Sequence, residues 1–309
     1  MKIRSILLKG TKDSVLHVDV YQPKEDCRGV LHILHGMGEH AKRYKSFSEY
    51  MTTKGFVVVV HDHRGHGKSL KPKQAVGILD KTDTHQAMVD DINVVQDYIM
   101  TTYPSAPIII LGHSMGSMLL RNYLHTYQPK IAEAIIMGTL PIYSRLYIKV
   151  MRLLVAFMRP FSSMTNRHKL LSNMLNSGLI NKIDNPKSSF DWLTYDEVNV
   201  STYINDPLSG YAYNYRFYQS FFKLIDYTSK KQIIDNTPNI PLLIISGEND
   251  PINDKNKAID TVSSAYKSFD ITVKKVPNAR HEVLNDQNKA STYEYIYTWI
   301  TSKGEKQHG

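Results

Sequence analysis

Residues 108–116 have the sequence IIILGHSMG, and this stretch decides the fold of the chain. Its first four residues are apolar, which is typical of a strand buried on both faces. The next five fit G-x-S-x-G, a sharp turn from a strand into a helix that presents a serine nucleophile. Glycines flank the serine at two residues' distance because such a turn has no room for bulky neighbours. We therefore predict Ser114 as a nucleophile, and a serine that only caps a helix is the alternative.

The segments on either side alternate between strand-like and helix-like patterns. Strands are predicted at residues 2–9, 14–21, 30–34, 56–60, 108–111, 131–137, 241–246 and 271–276, and helices at 44–53, 83–101, 118–127, 254–267 and 288–302. The first two strands are separated by a short turn and form an antiparallel hairpin. The alternation that follows is typical of an α/β fold, with a mostly parallel central sheet flanked by helices on both faces.

One long stretch, residues 140–236, interrupts this pattern. It is rich in Tyr, Phe and Met and contains no run that would form a buried strand. Long insertions in such folds often carry function. We therefore predict a core domain made of residues 1–139 and 237–309, with residues 140–236 inserted as a helical lid or cap over a site.

The start of this insertion has the pattern of a basic amphipathic helix over residues 143–158. Its apolar residues recur at helical spacing at Tyr143, Tyr147, Val150, Leu154 and Phe157, with Leu146, Met151, Leu153 and Met158 beside them. The other face carries Arg145, Lys149 and Arg152. Such a helix can lie on an anionic membrane surface. The alternative is a cap helix that packs on the core with its charges in water, and the two interpretations are compatible.

The glycine-rich segment at 35–38 ends the strand at 30–34, where a loop would complete an oxyanion hole. Backbone N–H groups of Met37 and Met115 are the predicted donors to the negative oxygen of a tetrahedral intermediate. The role uses main chain only, so the methionine side chains are incidental to it.

A serine nucleophile needs a base, and the base needs an acid that orients it. In this type of fold the acid and then the histidine follow the serine along the chain. The histidines after Ser114 are His125, His168, His281 and His308, and only His281 stands in a loop after a core strand. Asp250 is the predicted acid because it follows the preceding strand, and Glu248 is its competitor.

Composition limits the other classes of function. The chain has 309 residues, 42% hydrophobic and 22% charged, as an ordinary soluble protein does. Its single cysteine, Cys27, cannot form an internal disulfide. The apolar run at the amino terminus stops at Lys9, too short for a signal peptide, and no stretch is long enough to cross a membrane. A cytoplasmic protein is expected, with peripheral membrane association through the cap helix as an extension.

The formal charge of +9 is consistent with an ordinary basic surface or with attraction to anionic lipid. Nucleic acid is not predicted as a partner, because no binding motif accompanies the charge. His61, His63 and His66 are clustered, but their spacing matches no zinc pattern and no cysteine is near. We expect no metal and no other cofactor, and predict that residues 61–69 form a rigid loop beside the active site.

Five motifs together carry a family resemblance: HGMGEH at 35–40, DHRGHGKS at 62–69, GHSMG at 112–116, GENDP at 247–251 and RHE at 280–282. They resemble the monoacylglycerol lipase and lysophospholipase-like serine hydrolases of the α/β-hydrolase fold, over residues 1–139 and 238–300. Ser117 departs from the pattern, because most relatives have a second glycine at this position. We expect this difference to affect helix packing or pocket shape more than the chemistry. Peptidases of the family usually have Gly and Trp around the serine, whereas His113 and Met115 resemble the lipases.

The resemblance implies a cofactor-free enzyme that cleaves the ester of a single fatty chain and has a mobile lid. The predicted substrate is a monoacylglycerol or a lysophospholipid. Two other hypotheses remain open: a soluble esterase for short-chain or aromatic esters, and a ligand-binding protein that uses the same fold without turnover. Transfer of the acyl group to an alcohol other than water is a further outcome that the sequence does not address.

Overall fold

The computed structural model describes residues 1–24, 27–71, 74–157, 159, 166–266 and 269–308, with the side chains of 305–308 left out. Its centre is an eight-stranded sheet. The strands are β1 Lys2–Lys9, β2 Val15–Gln22, β3 Gly29–Leu34, β4 Phe56–His61, β5 Ile108–His113, β6 Glu133–Met137, β7 Leu242–Gly247 and β8 Ile271–Val276. The predicted strands are all present, and their ends differ by a few residues at most.

The sheet has the strand order β1-β2-β4-β3-β5-β6-β7-β8. β1 pairs antiparallel with β2, and β2 pairs antiparallel with β4. The pairs from β4 through β3, β5, β6 and β7 to β8 are parallel. β3, β4, β5, β6 and β7 are buried along their whole length, as central strands covered on both faces must be. The α/β fold class is confirmed.

The helices are α1 Lys45–Thr53, α2 His85–Thr102, α3 Met115–Tyr127, α4 Arg145–Phe157, α5 Lys169–Ile180, α6 Glu197–Asn205, α7 Tyr215–Thr228, α8 Lys231–Asp235, α9 Lys257–Ala265 and α10 Lys289–His308. A 3-10 turn, Ala41–Tyr44, precedes α1. Two apolar clusters cover the two faces of the sheet. Side chains of α2, α3, α7 and α9 fill one cluster, and side chains of α1 and α10 fill the other. The predicted helices on both faces are confirmed.

α3 begins at Met115, three residues before the predicted start at 118. The apolar periodicity of the sequence starts at Met118, so it does not indicate the first helical turn, which contains Gly116 and Ser117. Those residues are helical because the strand-to-helix turn requires it. The early start places the amino terminus of α3 directly after Ser114.

The segment 140–236 contains α4 to α8 among its described residues. α7 buries Tyr215, Phe217 and Leu224 in the main core cluster. Part of the inserted segment is thus packed as tightly as the core. The division of the chain into core and cap is not decided by this packing and stays a prediction.

α4 is amphipathic, and the residues that it packs against the core are not those of the apolar stripe named in the sequence analysis. Ile148 and Val155 are its buried residues, and Met151 is half-buried between them. The predicted stripe is largely exposed, as are Leu146 and Leu153, while Met158 lies outside the described residues. Periodicity alone could not decide between the two stripes, because this helix has apolar residues around most of its circumference.

None of the helices in the described part of the chain is long and apolar enough to cross a membrane.

Candidate active site

Ser114 stands at the turn between β5 and α3 in a strained conformation, with φ 53° and ψ −118°. Such strain in a non-glycine residue is characteristic of functional turns. A Cβ atom on Gly116 would lie 2.2 Å from the carbonyl oxygen of Leu34, so only glycine fits where α3 passes β3. Ser114 N–H donates to the Met137 carbonyl at 2.9 Å, which ties the turn to β6.

Ser117 is buried in the first turn of α3. Its hydroxyl donates to the Ser114 carbonyl oxygen at 2.5 Å, and its N–H donates to the same oxygen at 3.0 Å. The residue that departs from the family pattern therefore supports the backbone of the strained turn.

The structure brings Asp250 and His281 together. Asp250 Oδ2 accepts a hydrogen bond from His281 Nδ1 at 2.9 Å, and both side chains are buried. The competitor Glu248 is exposed. The chain turns back after Glu248, and the turn carries Asp250 towards the loop that bears His281.

Burial alone would raise the pKa of the Asp250 carboxyl. The charge and hydrogen bond of His281, with donors from Ile252 N–H and the Ser246 hydroxyl, outweigh it, so the pKa lies below its ordinary value. An ionised Asp250 accepts from Nδ1–H and leaves Nε2 of His281 as the nitrogen that can take a proton.

Ser114 and His281 line the same cavity, but their side chains are not hydrogen-bonded to each other. Nε2 of His281 is buried and has no hydrogen-bond partner among the residues described. The ring of Trp192 lies against His281 with centroids 5.2 Å apart, and the ring of His113 lies 4.7 Å away on another side. In ligand-free enzymes the bond between nucleophile and base is often long and tightens with substrate.

One predicted oxyanion donor lies on a loop and the other at the start of a helix, both near Ser114. Met37 lines the cavity in the loop after β3, and Met115 is the first residue of α3, where a backbone N–H has no acceptor within the helix. The N–H groups on either side of Met37 are already used. Gly36 N–H donates to Glu39 Oε1 at 2.5 Å, and Gly38 N–H donates to the Tyr213 hydroxyl at 2.6 Å.

A buried charged network, which the sequence analysis did not identify, joins the loops of the site. Glu39 Oε1 accepts from Gly36 N–H, from the Tyr44 hydroxyl and from His113 Nδ1, at 2.5 to 3.0 Å. Arg43 connects Glu39 to Glu282 and binds Glu282 through both terminal nitrogens. The motif at 35–40 contains Glu39, but the partners lie up to 239 residues away from each other in sequence.

The network keeps its charges although it is buried. Burial would lower the pKa of His113, but the hydrogen bond and charge of Glu39, with Glu282 and Asp250, raise it above its ordinary value. Burial would raise the pKa of Glu39, but His113, Arg43 and His35 hold it well below its ordinary value.

The loop at 61–69 packs against the site through buried polar contacts. Asp62 accepts from Ala41 N–H at 2.7 Å and from Lys68 N–H at 2.8 Å. Arg64 forms a buried pair with Asp91 at 2.7 Å. Among the described residues, no group of three or more His, Cys, Asp or Glu side chains is arranged to hold a metal.

The cavity above Ser114 has a volume of about 420 Å³. The inserted segment supplies much of its wall, mostly with aromatic and aliphatic side chains: Leu140, Tyr143, Leu175, Trp192, Tyr203 and Phe221. A partly enclosed, largely apolar space beside a serine, a histidine and backbone donors suits an uncharged acyl group better than a polar ligand.

Comparison with known proteins gives one family. The sequence model of Hydrolase_4, described as "Serine aminopeptidase, S33", matches residues 25–288. The monoglyceride lipase homolog of monkeypox virus is 27% identical over 290 residues, 93% of this chain and 95% of the viral protein. The monoacylglycerol lipase of Mycolicibacterium smegmatis is 25% identical over 288 residues, 92% of each chain.

A solved structure, a thermostable carboxyl esterase from Bacillus coagulans in complex with glycerol, superposes with a TM-score of 0.87 and 25% identity. The match covers 98% of this chain and 99% of the esterase. Core and insertion both lie within these matches.

Proposed function

The chain belongs to the Hydrolase_4 family, and from that premise we propose that it hydrolyses the fatty-acyl ester of monoacylglycerols or lysophospholipids. The observation that carries the proposal is the buried Asp250–His281 pair, of which His281 lines the same apolar cavity as Ser114. The description of the family names a peptidase. The two relatives above, which match over nine-tenths of this chain, are named as lipases of monoglycerides.

In the proposed reaction, the Ser114 oxygen attacks the ester carbonyl while His281 Nε2 takes the hydroxyl proton. The carbonyl oxygen becomes negative and is held by the N–H groups of Met37 and Met115. The tetrahedral intermediate collapses, and His281 gives the proton to the departing alcohol oxygen. Water then attacks the acyl-enzyme with His281 again as base, which releases the fatty acid and restores the serine.

The residues 140–236 serve as a cap in this proposal. Their side chains form the apolar wall of the cavity, so the acyl chain would lie between cap and core. A bound acyl chain would displace water from this apolar wall, which strengthens the polar interactions around the ester.

The test is fatty-acid release from a series of monoacylglycerols, from butyryl to oleoyl, together with an aromatic ester and an aminoacyl anilide. A kcat/KM that rises towards the long chains supports the lipase. A maximum at butyryl or at the aromatic ester would favour the esterase alternative, and cleavage of the anilide alone would favour a peptidase. Labelling of Ser114 by a fluorophosphonate without turnover of any ester would indicate a binding protein.

We further propose that the cap contacts an anionic membrane surface. The observation that favours it is a set of large apolar side chains on α4 that are exposed: Leu146 at 71%, Leu153 at 62% and Phe157 at 74%. Leu170 and Met174 of α5 are exposed as well. Arg145, Lys149 and Arg152 are exposed on α4 with them, which gives the mixture of apolar and basic groups that binds lipid interfaces.

Sedimentation with vesicles tests this contact. The protein should bind vesicles that contain phosphatidylserine more than neutral ones, and salt should weaken binding. Leu153→Asp should reduce binding, whereas Leu7→Asp, at an equally exposed leucine on β1, should not. Equal binding by the two variants would contradict the proposed surface.

A further inference from the structure

Gly38 follows Met37 in the oxyanion loop. Both of its backbone groups, the N–H and the carbonyl, are hydrogen-bonded to residues of the inserted segment. Its N–H donates to the Tyr213 hydroxyl at 2.6 Å, and its carbonyl accepts from Gly210 N–H at 2.9 Å. Gly38 has φ +68°, and a Cβ there would lie 3.1 Å from the Tyr203 hydroxyl. The loop therefore has little freedom on the side that faces the insertion.

Burial lowers the pKa of His66 to about 4, so its ring is neutral, and this sets the direction of the hydrogen bond between His66 and the Tyr213 hydroxyl. The hydroxyl also lies 2.7 Å from His66 Nε2, and His66 Nδ1 lies 3.1 Å from the Arg64 carbonyl. A carbonyl only accepts, so Nδ1 carries the hydrogen and the neutral ring accepts at Nε2. Tyr213 must then donate its hydroxyl hydrogen to His66 and accept from Gly38.

The position of the Tyr213 hydroxyl oxygen is fixed, as well as the direction of its hydrogen bonds. Tyr213 and His66 are buried, and the tyrosine ring stacks on Phe217 with centroids 3.6 Å apart and planes 16° apart. Phe217 belongs to α7, which is packed into the main core. The oxygen that accepts from Gly38 N–H is therefore held in place by the packing of the core.

We propose that Tyr213 is a positioning residue for the oxyanion hole. It engages Gly38 N–H and so leaves the preceding N–H, that of Met37, as the donor that this loop offers to the negative oxygen. The inference rests on the proposed function, because an oxyanion donor matters only if Ser114 attacks a carbonyl. It also links the insertion to catalysis: a displacement of residues 210–213 would displace the oxyanion loop.

Tyr213→Phe removes the hydroxyl and keeps the stacked ring. Gly38 N–H would then be buried without an acceptor, and the loop would rearrange to satisfy it. Loss of a whole oxyanion donor lowers kcat by about 10²–10³, so its misplacement should lower kcat by about 10–10². KM should change little, because the donor acts in the transition state.

Tyr215→Phe is the matched control. Tyr215 is the first residue of α7, two residues after Tyr213; its buried hydroxyl donates to the Val155 carbonyl at 2.6 Å, and Tyr215 does not line the cavity. Tyr213→Phe loses two buried hydrogen bonds and Tyr215→Phe loses one, so both variants should be less stable to urea, Tyr213→Phe more so. Only Tyr213→Phe should lose kcat. His66→Leu, which removes the acceptor and leaves Tyr213 in place, should lower kcat in the same direction by less.

Inhibitors separate a positioning role from a structural one. A long-chain trifluoromethyl ketone adds to Ser114 and forms an oxyanion, whereas a non-hydrolysable alkylglycerol ether only occupies the cavity. In Tyr213→Phe the affinity for the ketone should fall in parallel with kcat/KM, and the affinity for the ether should stay constant. Equal kcat in Tyr213→Phe and Tyr215→Phe, or a loss of ether binding instead, would overturn the proposal. If the wild type hydrolysed no ester, the proposed function would fail, and the ketone comparison would still decide the role of Tyr213.

Discussion

The substitution Asp250→Asn tests the proposed acid, because asparagine has nearly the same shape as aspartate but no negative charge. The carboxylate accepts from His281 Nδ1 at 2.9 Å, from Ile252 N–H at 2.8 Å and from the Ser246 hydroxyl at 3.1 Å. An asparagine with its oxygen in the place of Oδ1 keeps the Ile252 bond, while its NH₂ group takes the place of Oδ2 and faces both the imidazole and the Ser246 hydroxyl, which would then accept instead of donate. The ring would then accept at Nδ1 and carry its hydrogen on Nε2, where it cannot take the Ser114 proton.

The wrong tautomer, with the loss of the negative charge beside a developing imidazolium, should lower kcat by about 10⁴, or about 5 kcal/mol of transition-state free energy. Stopped assays of fatty-acid release at neutral pH can measure such a loss if Ser114→Ala gives the background. Glu248→Gln is the control, because that side chain is exposed at the same strand end. A loss below tenfold in Asp250→Asn, or an equal loss in Glu248→Gln, would refute the assignment of Asp250.

Three further predictions concern the scaffold of the site. Gly116→Ala should lower the free energy of unfolding in urea by about 3 kcal/mol, because its Cβ would meet a β3 carbonyl oxygen at 2.2 Å; a fully stable variant would contradict this. Ser117→Ala should cost about 1 kcal/mol, because it removes the 2.5 Å bond to the Ser114 carbonyl, and should leave kcat unchanged. Glu39→Gln should reduce stability most between pH 4.5 and 6.5, where the ionised Glu39 holds a protonated His113. The difference should shrink as pH rises through the raised pKa of His113, and urea unfolding at several pH values that showed no such trend would refute the charge assignment.

The strands could be predicted from the sequence because buried parallel strands are uninterrupted apolar runs, whereas their order in the sheet was observed only in the structure. The runs at 56–60 and 108–111 are apolar without interruption, and both are central strands. Asp250 and His281 could be proposed because both follow such strands, and the carboxyl ends of parallel strands meet at one edge of the sheet. The structure places these two side chains in contact.

The contacts between distant loops could not be predicted. Arg43 and Glu282 are 239 residues apart, and Gly38 and Tyr213 are 175 residues apart. No local pattern indicates such pairs, because each depends on how segments far apart in the sequence pack against each other. The stripe that α4 buries could not be predicted for the same reason: a helix that is apolar on most sides buries whichever stripe its neighbours cover.

The most direct test of the central claim is oleate release from monooleoylglycerol by the wild type and by Ser114→Ala at equal protein concentration. The account predicts steady turnover by the wild type and a loss of about 10⁶ in kcat in the variant, since the serine, histidine and aspartate would act as a unit. A Ser114→Ala protein that keeps most of the wild-type rate would contradict it.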